Sequence, residues 1–164
     1  MKCPLCGNKL TLKIDEVYYE CKCCAALVMN SEYYLSRDDE KTRYEKHNND
    51  VNDVGYKNFT SPITNYILNN YTYKDKGLDY GCGPGPVIST TLMENNYDVD
   101  QYDPFFRPDS KLYNNYYNYI ICCEVFEHFR NPRNEIIKLK YLLKPNGKLL
   151  IMTFLYNHKI DFQK

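Results

Sequence analysis

The sequence lacks an excess of charge of either sign: 21 basic and 21 acidic side chains cancel over 164 residues. That excludes a strongly cationic nucleic-acid binder and leaves no basic patch for an anionic membrane surface. Long apolar runs are missing as well. The longest, such as Leu149 to Leu155, are far too short to cross a bilayer, and Met1-Lys-Cys-Pro-Leu-Cys6 has no apolar signal region. No Gly-x4-Gly-Lys-Ser/Thr loop exists, so ATP or GTP phosphates have no cradle. Arg is scarce beside Lys, and the Tyr-rich run 113–119 has no interleaved Arg or Lys to make it a base-stacking platform. What is present, 43% hydrophobic residues, supports a core and excludes wholesale disorder. The expectation is a soluble protein: one ordinary domain, or a small module attached to a compact one.

Eight cysteines in so short a chain raise the question of a disulfide scaffold, but their placement argues otherwise. Cys3-Pro-Leu-Cys6, fourteen intervening residues and Cys21-Lys-Cys-Cys24 make two Cys-x2-Cys pairs at zinc-ribbon spacing. Each pair turns two thiolates to one side, and tetrahedral zinc wants four soft ligands. Cys3, Cys6, Cys21 and Cys24 are the expected ligands, with Cys23 a spare that could compete with either of the last two. A four-thiolate site has no open position, so this Zn2+ is expected to be structural and not catalytic. Thiols held for metal point to a reducing compartment, hence the cytoplasm. Adjacent Cys122 and Cys123 sit in an apolar run and read as small strand residues.

Residues 1–30 therefore form a zinc module of short strands. Residues 31–73 read as a helical connector. Ser36 caps one helix there, with Asp39 three residues on, running through Tyr44 toward His47. The turn-rich stretch 47–55 reads as a loop, and Ser61-Pro62 opens a second helix with Ile63, Ile67 and Leu68 on one face. From residue 74 strand and helix alternate to the end. Strands are expected at 77–80, 97–102, 119–125 and 148–155, and helices follow Pro86 and Pro132. That alternation predicts an α/β fold with a doubly wound, mostly parallel, Rossmann-like sheet.

Between the first strand and its helix lies Asp79-Tyr-Gly81-Cys82-Gly83-Pro-Gly85, the place where open parallel sheets bind ligands. Glycines there let the backbone approach a ligand, and Asp103, at the end of the next strand, can accept both hydroxyls of a ribose. A nucleotide-like ligand is expected. The dinucleotide fingerprint needs its third glycine at position 86, which is Pro86, so NAD and FAD are disfavoured.

Leu78-Asp-Tyr-Gly-Cys-Gly-Pro-Gly85 resembles the first motif of class I S-adenosylmethionine-dependent methyltransferases. The resemblance continues through Tyr102-Asp-Pro-Phe-Phe106, Glu124-Val-Phe-Glu-His128 and Leu142-Leu-Lys-Pro-Asn-Gly147, in that order. The cysteine module followed by residues 43–50 is similar to an uncharacterised bacterial branch of the same superfamily. The resemblance implies that Asp79, Gly81, Cys82, Gly83 and Gly85 hold the methionine part of S-adenosyl-L-methionine. It implies that Asp103 takes the ribose hydroxyls, with Pro104 also among the cofactor-binding residues, and that Cys123 and Glu124 line the strand end beside the sulfonium. Glu127, His128 and His47 are the candidate bases near the transferred methyl; Glu124 and Glu127 fit equally well as a solvated helix start, and the competing reading of His128 is a packed or solvent-facing histidine. Phe105 and Phe106 cover the adenine or belong to the core.

The expected activity is methyl transfer to an acceptor, a small molecule before an RNA or a protein. The competing reading is a catalytically inactive cofactor-binding or zinc-dependent interaction module. Only fifteen residues separate Asp103 from Tyr119, too few for a third strand with its helices. After the last strand only nine residues remain, so a sheet edge is expected to stay open unless a partner or a second copy covers it.

Overall fold

In a computed structural model the chain is described for residues 1–46 and 50–155. Three short antiparallel strands come first: β1 (Leu12–Lys13), β2 (Tyr18–Glu20) and β3 (Leu27–Met29), in that order across a small sheet. Asp15 makes the β1–β2 turn by accepting from the backbone N–H groups of Val17 and Tyr18 at 2.8 and 2.7 Å. Only Cys3, Leu10, Cys21 and Val28 are buried in this module.

Helix α1 (Arg37–Glu45) starts where the sequence places it, with Ser36 Oγ accepting from Asp39 N–H at 3.2 Å and donating to Asp39 Oδ2 at 2.6 Å. Helix α2 (Val54–Asn70) differs from expectation: it begins seven residues before Ser61, with Pro62 in its interior. Two local bonds explain this. Asp53 Oδ1 caps Tyr56 N–H at 2.6 Å, and the Asn58 carbonyl that Pro62 cannot serve accepts the Ser61 hydroxyl at 2.7 Å.

The second sheet has four parallel strands: β4 (Lys76–Tyr80), β5 (Asp98–Tyr102), β6 (Tyr117–Cys123) and β7 (Leu143–Met152), in the order β5-β4-β6-β7. Helix α3 (Val87–Glu94) joins β4 to β5, and α4 (Pro132–Leu142) joins β6 to β7. Between β5 and β6 there is only a 3₁₀ turn at Ser110–Asn114, so no further strand lies there among the described residues, as the short spacing leads one to expect. β7 pairs earlier and stops earlier than the sequence indicates. Leu143 is already opposite Tyr117, the turn 144–147 bulges out, and Lys148 to Met152 resume the ladder.

Alternation along β6 sends side chains to both faces. Ile120 and Cys122 pack with Leu78, Tyr80 and Leu139 under α4, while Tyr119 and Ile121 pack with Ile63, Ile67, Ile88 and Leu92 under α2 and α3. The sheet is thus doubly wound, with a core on each side, and its strands end together at one rim. Tyr117 and Tyr119, from the Tyr-rich run, are wholly buried.

Candidate functional site

At that rim the chain leaves β4 through Gly81, whose φ of +82° belongs to the left-handed region. A Cβ there would lie 2.6 Å from Val125 Cγ2, so the position admits no larger residue. Gly81 and Cys82 N–H groups both donate to the Tyr102 carbonyl, at 2.8 and 3.1 Å, which folds the loop toward the end of β5. There Asp103 is buried and accepts three backbone bonds. Oδ2 takes Gly83 N–H at 3.0 Å, and Oδ1 takes Phe105 and Phe106 N–H at 2.8 and 3.1 Å. Arg107 answers from the same loop: Nη1 donates to the Gly83 and Pro84 carbonyls at 2.6 and 3.3 Å, and Nη2 to Pro84 at 3.4 Å. Carboxylate and guanidinium together clamp the glycine loop from one side.

Gly81, Cys82, Gly83, Asp103, Pro104, Cys123, Glu124, Glu127 and His128 line one cleft of about 610 Å³. Asp79 and Gly85 do not. Asp79 lies buried beneath the loop; burial raises its carboxyl to about 6, against the pull of Ser89's hydroxyl and N–H. Burial likewise pushes the Cys82 thiol up, and Cys123 to about 12, so neither is a thiolate at neutral pH. Glu124 holds a left-handed φ of +53° with its N–H on the Met152 carbonyl at 2.8 Å; burial and neighbouring Glu127 raise its carboxyl. Such a conformation in a non-glycine residue is a strained one, and it stands at the cleft. His47 lies outside the described residues.

Several lining residues escaped the sequence reading. Tyr44 of α1 reaches in, its ring 5.8 Å from Phe105 and edge-on to His128 at 5.5 Å. Tyr56 and Phe59 of α2 stack at 6.2 Å, and Tyr80 donates to Glu135 Oε2 at 2.6 Å beside Lys138. Helix α1 is tied down by two arginines: Arg37 donates to the Pro104 carbonyl at 3.3 Å, and Arg130 to the Leu35 carbonyl at 2.7 Å and Glu40 at 3.1 Å. One signal was available. Of the five arginines in this Lys-rich sequence, Arg37, Arg107 and Arg130 all serve backbone carbonyls around the cleft.

The Sγ atoms of Cys3, Cys6, Cys21 and Cys24 all lie within 4.8 Å of one another, with Cys3–Cys24 at 3.7 Å and Cys6–Cys21 at 3.5 Å. Four thiolates at about 2.3 Å from one zinc ion stand about 3.8 Å apart, so the cluster fits that metal. Cys23 is exposed and outside the cluster. Asn8, through its backbone N–H first, lowers Cys6 to about 6. The two knuckles are alike: Gly7 N–H donates to the Cys3 carbonyl and Ala25 N–H to that of Cys21, both residues at positive φ.

A parallel doubly wound sheet with a glycine loop at one strand end and a carboxylate at the next defines a Rossmann-like fold, in which that rim is the usual place for a ligand. Residues 40–163 match the family profile described as a methyltransferase domain, and the chain belongs to that family. Among curated relatives it is similar to the ubiquinone biosynthesis O-methyltransferase of Rickettsia canadensis, 30% identical over 147 residues, covering 70% of this chain and 62% of that protein. The proteins of the same name from Erwinia tasmaniensis and Escherichia coli are 26% and 28% identical over 83 residues. Those matches cover 51% of this chain and 34% and 35% of the relatives, so the chain spans well under two thirds of their length.

Proposed function

We propose that the protein is an S-adenosylmethionine-dependent methyltransferase with a structural zinc module, working in the cytoplasm on a small-molecule acceptor. The observation that carries this reading is the left-handed glycine loop clamped beside Asp103 at the mouth of the 610 Å³ cleft. The cleft has the size of a small-molecule site. Gly81, Cys82 and Gly83 would hold the methionine part over buried Asp79 and Gly85, Asp103 and Pro104 the ribose, and Cys123 and Glu124 the sulfonium side. Bound there, the cofactor supplies an electrophilic methyl carbon.

The chain's own part is to align an acceptor atom with that carbon, and alignment alone contributes about 7–11 kcal/mol to such a displacement. Tyr44, Tyr56 and Phe59 bring aromatic surface that excludes water from the cleft. Where the acceptor must lose a proton, the His128 imidazole, or Glu127 beside it, takes it. General-base help of that kind adds a factor of about 100 to 10,000.

Titration calorimetry with S-adenosylhomocysteine, with NAD as the control, tests the reading. Saturable binding of the first and none of the second is expected; a chain that binds NAD, or neither, overturns it. Transfer of a labelled methyl group into a metabolite extract then separates a working enzyme from a binding module.

A further inference from the structure

The inward stripe of α4 carries a charge. Leu139 and Leu142 are buried in the core on that face of the sheet, and one helical turn nearer the rim the same stripe reaches Glu135. Patterning alone would put an aliphatic side chain there, because a carboxylate drawn toward a core is costly unless it is paired. Glu135 is paired. Its Oε2 accepts the hydroxyl of buried Tyr80 at 2.6 Å. Lys138, three residues on, donates to Glu135 Oε1 and Oε2 at 3.2 and 3.0 Å and to the Tyr80 hydroxyl at 3.1 Å.

The three are not sealed inside. Tyr80, Glu135 and Lys138 line the same cleft as the glycine loop, in an arm on the α4 face that they share with Tyr102 and Phe129. Where a longer crossover would cover that face of β4 and β5, the chain has the 3₁₀ turn Ser110–Asn114. The other arm, with Tyr56 and Phe59, lies on the α2 side, and the glycine loop runs into α3 on that same face. A cofactor whose methionine follows the loop and whose ribose sits at Asp103 therefore turns its base toward the α4 arm.

We infer that Glu135 and Lys138, steadied by Tyr80, are the pair that selects the cofactor's base. The inference rests on the methyltransferase reading and adds to it the residues that set base specificity. The base lies against Tyr102 and Phe129 with its Watson–Crick edge toward α4. Its exocyclic amino group donates to Glu135 Oε1, and Lys138 donates to its N1. Adenine offers that donor beside that acceptor. Hypoxanthine and guanine offer the reverse, a carbonyl beside an N–H, which would set a carbonyl against the carboxylate. A phosphate finds no seat in this arm, since the Lys138 ammonium is already matched by Glu135 at 3.0 Å. In this arrangement a crossover helix, and not a loop at the rim, reads the base.

The test compares two ligands on the full chain by titration calorimetry. One is S-adenosylhomocysteine; the other is S-inosylhomocysteine, with a carbonyl and an N–H in place of the amino group and N1. The wild type is expected to bind the adenosyl ligand about tenfold or more tightly than the inosyl one, which leaves polar groups of the site mispaired. Glu135→Gln brings an amide that can donate to the carbonyl, and Lys138→Met removes the donor to N1. Each should shrink the preference by about fivefold or more. A variant that merely loosens the fold weakens both ligands alike and leaves their ratio unchanged, so the ratio separates base selection from structural support. A shifted ratio in either variant upholds the inference. It is overturned if the wild type binds the two ligands within about twofold of each other, or if both variants keep the wild-type ratio or lose both ligands alike. A wild type that binds neither ligand overturns the methyltransferase reading instead.

Discussion

Asp79 carries a pH signature that a stability measurement can read. Its folded carboxyl, at about 6, lies above the ordinary 3.8, so between those values the folded chain binds more protons than the unfolded one. Stability from this group is present below about pH 4 and is lost as pH rises through about 6, a cost of about 3 kcal/mol at neutral pH. Asp79→Asn is expected to flatten the pH dependence of the denaturation midpoint between about pH 4 and 6 and to raise the midpoint at pH 7. An unchanged slope would show that another group titrates. The same substitution should weaken S-adenosylhomocysteine binding, the usual trade of stability against a functional site. His128→Ala belongs to the same scale. Turnover should fall by about 100- to 10,000-fold while S-adenosylhomocysteine affinity stays put, and full activity would remove His128 from the reaction. The glycine and carboxylate positions were legible because few residue types tolerate their backbone or chemistry. Arg107 was not, since its role depends on a fold of the chain that brings it across to the Gly83 carbonyl.

Elements were legible where their ends announce themselves. Ser36 with Asp39 and Asn131 with Pro132 mark the starts of α1 and α4, and the structure begins both helices there. The start of α2 was missed because Ser61-Pro62 imitates a helix opening, and the true cap, Asp53, sits in a turn-rich stretch. Asp53→Ala should therefore cost about 1 kcal/mol in chemical denaturation; no change would mean the cap bond is not made in solution. The loop after β5 acts as an element too, through Arg107. Arg107→Ala releases the Gly83 and Pro84 carbonyls, and S-adenosylhomocysteine affinity should drop by about tenfold or more. Partial recovery on adding free guanidinium at low concentration would separate loss of the clamp from loss of the fold. An affinity equal to the wild type's would show that the glycine loop holds its shape unaided.

For the molecule as a whole, sheet type and the missing third strand could be read from spacing, because a parallel strand needs a crossover of known minimum length. A cavity of about 580 Å³ between the cysteine module, α1 and the turn after β6 could not, since no local pattern encodes the meeting of those three. The two ends of the molecule also rest on different physics. The parallel sheet has a core on each face, whereas the module buries only four residues, and on the proposed zinc reading the metal supplies the rest. Stripping zinc with a strong chelator should unfold β1 to β3 while the parallel sheet keeps its circular dichroism; a module that stays folded would mean the thiols alone suffice. The Asp103 carboxylate has a further consequence, in time instead of energy. The amides of Gly83, Phe105 and Phe106 all end on it, and those of Gly81 and Cys82 end on the adjacent Tyr102 carbonyl. These five protons should exchange with deuterated solvent as one group, through a single opening of the rim, so that isotope uptake there counts how often the clamped glycine loop comes apart.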